Sequence, residues 1–85
     1  MQMKFTDKQR IKFREEIERV LSEDKLTSIF SEYPEKFGAN FYNQIPGGDY
    51  RTRLINLIIE LNNRELIFDF IKVVRYEYHN FAQDL

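Results

Sequence analysis

The sequence predicts an all-α fold, a compact antiparallel helical bundle, and three observations carry that expectation. Apolar residues recur at helical spacing in several separate windows, no segment alternates with period two, and capping and turn-forming residues separate the windows. The 85 residues suffice for a single domain spanning 1–85 and not for two. With 8 Phe and 5 Tyr but no Trp and no Cys, the core must be closed by a few bulky rings, each burying a large area.

Taken in order, the first helix is placed at Asp7 to Leu21. Thr6 followed three residues later by Gln9 forms a capping box, with Phe5 in the staple position before it. Phe13, Ile17, Val20 and Leu21 then make one apolar stripe. Ser22-Glu23-Asp24 breaks this helix and can cap a second, Lys25 to Glu32, which buries Leu26, Ile29 and Phe30. Pro34 biases Tyr33 away from helical dihedrals and ends it. From Pro34 to Pro46 the turn residues Gly38, Asn40 and Asn43 alternate with Phe37, Phe41, Tyr42 and Ile45. This reads as a packed-down connector holding a single-turn helix near Asn40 to Gln44.

Pro46-Gly47-Gly48 punctuates the chain, and Asp49 caps a helix from Tyr50 to Leu61. Its apolar positions are Tyr50, Leu54, Leu57, Ile58 and Leu61, with Ile55 and Ile59 widening the stripe. A face that broad belongs to a central helix or to one whose flank meets a partner. Asn62-Asn63 reads as a turn. The last long helix is placed at Arg64 to Tyr78, with Ile67, Phe70, Ile71, Val74 and Tyr78 on one face; Phe81 and Leu85 are expected to dock a final short turn.

Composition narrows the function classes. Zero cysteines remove disulfides, thiolate nucleophiles and the usual structural zinc sites, and favour a cytoplasmic location. No run approaches the roughly 20 apolar residues of a membrane span, and Met1 to Phe5 lacks the apolar core of a signal peptide. The net charge of −1, from 13 basic and 14 acidic residues, gives no cationic surplus for nucleic acid.

Catalytic, metal-binding and cofactor motifs are not found. His79 is the single histidine and reads as a helix-end residue. Glu15-Glu16 and Glu23-Asp24 are adjacent in sequence and do not face one cleft as a glycosidase pair would. Gly47-Gly48 lacks the Lys and Ser or Thr of a phosphate loop and is followed by an acid where phosphate would sit, so it reads as a helix-start turn. Arg51, Arg53 and Arg64 could reach phosphates from neighbouring helix ends, and they carry the alternative reading, a small helical nucleic-acid-binding domain.

The first helix is more informative. Lys4, Lys8, Arg10, Lys12 and Arg14 concentrate positive charge against Asp7 alone. Glu15, Glu16, Glu18, Glu23, Asp24, Glu32 and Glu35 then turn the chain acidic. Basic groups at a helix start oppose its dipole and gain nothing for their own helix, whereas head-to-tail association would use such segregation. Ile11 and Phe68 lie off the main stripes and are candidate contacts. The expected interaction residues are thus Lys8, Arg10, Ile11, Lys12, Arg14, Glu15, Glu16, Glu23 and Phe68, the basic set of one copy meeting the acids of the next.

The order of a capped helix with Phe13 and Ile17, then DKLTSIF, an aromatic connector and IPGGDYRTRLINLIIELNNRELIFDFIKVVRYEYHN resembles the bacterial effector-associated domains. These are small helical adaptors of the death-like superfamily. The similarity covers nearly the whole chain and is densest from Asp49 to Arg75; Glu77-Tyr78-His79-Asn80 stands where such domains often have a proline-containing tail. The resemblance implies a death-like bundle of five or six helices with no catalytic residues. It also implies an adaptor that couples sensors to effectors in bacterial conflict systems, through contacts with another copy or with a paralogous domain on an effector.

Overall fold

Thr6 opens the first helix as its sequence requires. Its hydroxyl accepts the Gln9 amide while the Gln9 side chain accepts the Thr6 amide, so two otherwise orphaned donors are satisfied reciprocally. The structure, a computed structural model, describes residues 5–83. Lys4 and Leu85, both given roles in the sequence reading, lie outside them. The staple position is filled differently from the usual pattern. Phe5 packs edge-on against Phe13 and Phe68, because the residue that would close a staple is the polar Arg10.

Helix α1 runs Asp7–Val20, with Leu21 as its C-cap, and buries Phe13 and Ile17. Helix α2, Glu23–Glu32, starts two residues earlier than expected because the Ser22 hydroxyl accepts the Lys25 amide; this brings Glu23 and Asp24 into the first turn, where the dipole favours acids. Pro34 then does two things. It ends α2 and occupies the first turn of α3, Pro34–Phe37, a helix the sequence reading treated as connector. Proline is well suited there, since its missing N–H is one a helix start leaves unpaired anyway. The expected single-turn helix is a 3-10 turn at Tyr42–Gln44.

Asp49 caps α4, Tyr50–Asn63, by accepting the Thr52 amide at 2.8 Å. Here Gly47 is obligatory. At φ 151° a side-chain carbon on it would lie 2.7 Å from the Arg53 backbone nitrogen. Helix α4 continues through Asn62 and Asn63, and the turn falls at Arg64 and Glu65 instead. The Glu65 amide bonds to Asn62 O and the Leu66 amide to Leu61 O, the Schellman closure, with Glu65 at φ 58° where glycine is usual. That closure delays the start of α5, which runs Ile67–Arg75 where Arg64–Tyr78 was expected; at its far end the Tyr76 and Glu77 amides turn to the Val73 and Val74 carbonyls.

The described residues are helical and contain no strand. Their Cα radius of gyration, 11.8 Å, matches the roughly 12 Å expected of a compact chain this long. α1 packs against α4, α2 against α3, and α4 against α5. An aromatic cluster runs through a core otherwise made mostly of Ile, Leu and Val. Phe30 stacks on Phe70 and meets Phe37 edge-on at 5.0 Å, while Phe13 meets Phe70 and Phe81. Phe81 is buried, as expected, and the backbone beyond it is tied down by two charged side chains. Arg75 donates to the carbonyls of Phe81 and Ala82, and the Ala82 amide donates to Glu16. Among the described residues, Asn62 is the single buried polar residue. Its Oδ1 accepts the Phe5 amide at 2.7 Å and its Nδ2 donates to the Phe5 carbonyl at 3.3 Å, stitching the start of α1 to the end of α4. No helix of the described residues is long and apolar enough to cross a membrane.

Candidate functional site

The α1–α4 seam leaves an open groove on the surface. Helix periodicity explains its composition. Phe13 and Ile17 take α1 into the core, which leaves Ile11 on the outward flank beside Arg10 and Arg14. Across from them, α4 spends Leu54, Leu57 and Leu61 on the core and presents Ile55 and Ile59, with Ile58 as floor. The result is a mostly apolar depression of about 230 Å³. Ile11 is 54% exposed, and Ile55 and Ile59 are exposed as well. Asp7, Arg10 and Arg14 line its charged side.

Of the expected interaction residues, Arg10, Ile11 and Arg14 meet at this groove. The others are dispersed. Lys8, Lys12 and Glu15 are exposed along α1 and make no ion pair among the described residues. Glu16 binds Arg19 and the Ala82 amide. Glu23 accepts from the Tyr42 hydroxyl at 2.8 Å and from Arg53 at 3.3 Å. Phe68, 43% exposed, leans on Phe5 and does not line the groove.

Several of these charges are therefore engaged within the chain. Arg10 pairs with Asp7, and Arg14 with Glu18 at 2.6 Å. An intermolecular pair using Arg10, Arg14, Glu16 or Glu23 must share or replace one of these internal contacts. Exposed pairs exchange at little cost, so Arg10 is freer to do so than the half-buried Arg14. Lys8 and Lys12 have no such pair to give up among the described residues.

The guanidinium groups of the alternative reading are occupied too. Arg51 reaches Glu18, and its hydrogen bond holds that carboxyl below the usual range despite some opposing desolvation. Arg53 donates to Glu23 and to the Ile45 carbonyl and lies over the Tyr42 ring. Arg64 pairs with Glu60 and covers Phe41. Burial, reinforced by the Glu23 hydrogen bond, pushes the Tyr42 phenol up to about 12. Burial also raises Tyr50, whose hydroxyl donates to the Leu21 carbonyl. These two phenols knit the connector and α4 to the junction of α1 and α2.

Among the described residues, no three His, Cys, Asp or Glu side chains group as metal ligands would. His79 is exposed in the turn after α5. Asp49 occupies the anion position at the start of α4, as its sequence context indicated. The groove required more than sequence, because Ile11 and Ile55 are brought together only by the pairing of α1 with α4. Their signal was Ile11 off the stripe of its helix and the excess apolar width of α4. No known protein family, curated protein or solved structure matches the chain.

Proposed function

We propose that this chain is a protein-interaction adaptor, a death-like effector-associated domain that recruits or couples effectors in a bacterial defence signalling system by contact with another copy or a paralogous domain. The observation that carries the reading is the open apolar groove beside a cationic helix. Three isoleucines left in solvent next to Arg10 and Arg14, on a helix whose Lys8 and Lys12 make no ion pair among the described residues, are what a docking face needs: apolar area for affinity and charge for orientation. The all-helical architecture and the sequence resemblance support the same reading.

Acids suited to the opposite side of such a contact are Asp24, Glu32 and Glu35 on α2 and α3, which are exposed and make no ion pair among the described residues. Glu15 is likewise exposed and without an ion pair among the described residues. Contact between these acids and Lys8 and Lys12 of a neighbour would be screened over about 8–10 Å at moderate ionic strength. Light scattering of the purified chain across concentration and salt tests the idea. Reversible, salt-weakened association that a Lys8→Glu/Lys12→Glu variant loses is the expected result. Association indifferent to salt and to that variant refutes the charge pairing. Failure of the chain to capture either a second tagged copy or a paralogous domain refutes the adaptor reading.

A further inference from the structure

After Arg75 the chain leaves α5 and returns to α1. Residues 76–83 form no helix, and their own backbone bonds close only short turns: the Phe81 amide donates to the Tyr78 carbonyl at 3.0 Å and the Gln83 amide to the Asn80 carbonyl at 3.4 Å. A few side chains join this segment to the bundle. Phe81, 2% exposed, covers the line where Phe13 of α1 meets Phe70 of α5. Arg75 and Glu16 hold the backbone around that ring, and an exposed Lys25–Glu77 pair reaches α2. We propose that residues 76–83 are a releasable strap, which lifts as a unit and uncovers the Phe13–Phe70 junction while the helices stay folded.

The polar ties are the first reason. Each helix is secured by its own ladder of backbone bonds, whereas the strap is held to α1 and α5 by three hydrogen bonds from two side chains. Its ion pair to α2 is exposed and contributes little. A segment secured in this way belongs to the low-stability end of a domain. Release strands no buried group there, because water can serve the Phe81 and Ala82 carbonyls and the Ala82 amide once they lift. Glu16 is left with Arg19, which already donates to its other oxygen.

The backbone supplies the second reason. Ala82 sits at φ 58°, in the left-handed region where a side-chain carbon is strained, so closure holds strain that release relieves. A hinge is also in place. At Tyr76, 77% exposed, the chain has left the packing of α5, and the Tyr76 and Glu77 amides have turned to the Val73 and Val74 carbonyls. The buried Phe81 ring opposes all of this and keeps the closed form in the majority.

Hydrogen exchange on the unmodified chain tests the strap. The Phe81 and Ala82 amides should exchange roughly a hundredfold faster than the Phe70 amide, which donates to the Leu66 carbonyl inside the bundle. Their rates should stay nearly flat at low urea, since local opening exposes little surface. Glu16→Ala should speed exchange of the Phe81 amide, which Glu16 does not touch, by about tenfold and leave Phe70 nearly unchanged. Ala82→Gly should slow the Phe81 amide severalfold by removing the strain. The chain has no cysteine, so a single thiol placed by Ala82→Cys gives an independent reading, and it should be labelled faster than one placed by Val74→Cys. Phe81 and Phe70 amides exchanging at one rate with one urea dependence overturn the proposal, because the segment then opens only with the whole domain. A Phe81 amide exchanging as fast as in an unstructured peptide overturns it from the other side, because no strap is then closed.

Discussion

Replacing Asn62 by alanine removes both hydrogen bonds that hold the Phe5 backbone to the end of α4, and it does so at a residue only 7% exposed. Each bond contributes about 0.5–1.5 kcal/mol net, and a polar group left stranded in the interior costs about 1–3 kcal/mol more. The Phe5 segment is near the chain start and can peel into water, which relieves the stranding but exposes a ring now packed on Phe13 and Phe68. The two routes converge on a loss of about 2–3 kcal/mol. A domain of this length has only about 4–13 kcal/mol in total. At about 4–8 °C per kcal/mol, the melting midpoint should fall by roughly 10–20 °C. Urea denaturation of Asn62→Ala, repeated in a chain lacking residues 1–5, closes a double-mutant cycle. The cost of Asn62→Ala should largely vanish in the shortened chain. A loss under about 0.5 kcal/mol, or one of equal size in both chains, would refute the reasoning.

Four further outcomes follow from the same geometry. Gly47→Ala should destabilise by about 2 kcal/mol or more, because the added carbon meets the Arg53 backbone and no side chain can yield; thermal melting reads this directly. Glu65→Gly should stabilise by about 0.5 kcal/mol, since Glu65 closes α4 at φ 58°; an unchanged or lower urea midpoint would count against strain there. Tyr42 and Tyr50 have phenols raised on folding, so their contribution is intact below about pH 10 and lost as pH rises toward 12; Tyr42→Phe should flatten that alkaline limb in a urea midpoint series. Glu18, held down by Arg51 and Arg14, and Asp49, held down by the Thr52 amide, act in the opposite sense. Their contributions are present above the ordinary values of 4.5 for Glu18 and 3.8 for Asp49 and fade as pH falls below them, an acid limb that Glu18→Gln should shorten.

What could be read from sequence was whatever the chain decides locally. Thr6 with Gln9, and Asp49 before Tyr50, announce helix starts because the capping bonds lie within three residues. Stops are harder. Pro34 was legible as an end but not as the beginning of α3, since one proline serves both. The closure of α4 was hidden because Glu65 stands where glycine would have marked it. Asn62 looked like a turn residue, and only the return of Phe5 from 57 positions away makes it a buried clasp. The interaction surface divides in the same way. Ile11 and Phe68 off their stripes, and the excess width of α4, could be seen from spacing. That Ile11 and Ile55 share a groove, and that Arg14 is committed to Glu18, depend on how the helices meet.

The seam between α1 and α4 also fixes what the intervening chain is for. Helices α2 and α3 and the 3-10 turn all lie within the loop that this seam closes, so the segment between Leu21 and Asp49 acts as a tether as well as core. Lengthening a tether is cheap: each doubling adds only about 0.6 kcal/mol of closure entropy, which makes the exposed Gly47-Gly48 junction a tolerant place for inserted residues beyond Gly47 itself. Severing it is a different matter. A cut there leaves α1 to α3 on one fragment and α4 with α5 on the other. The effective millimolar concentration that a short linker provides is then gone. What was an intramolecular fold becomes a bimolecular equilibrium, and the groove exists only while the two halves are bound.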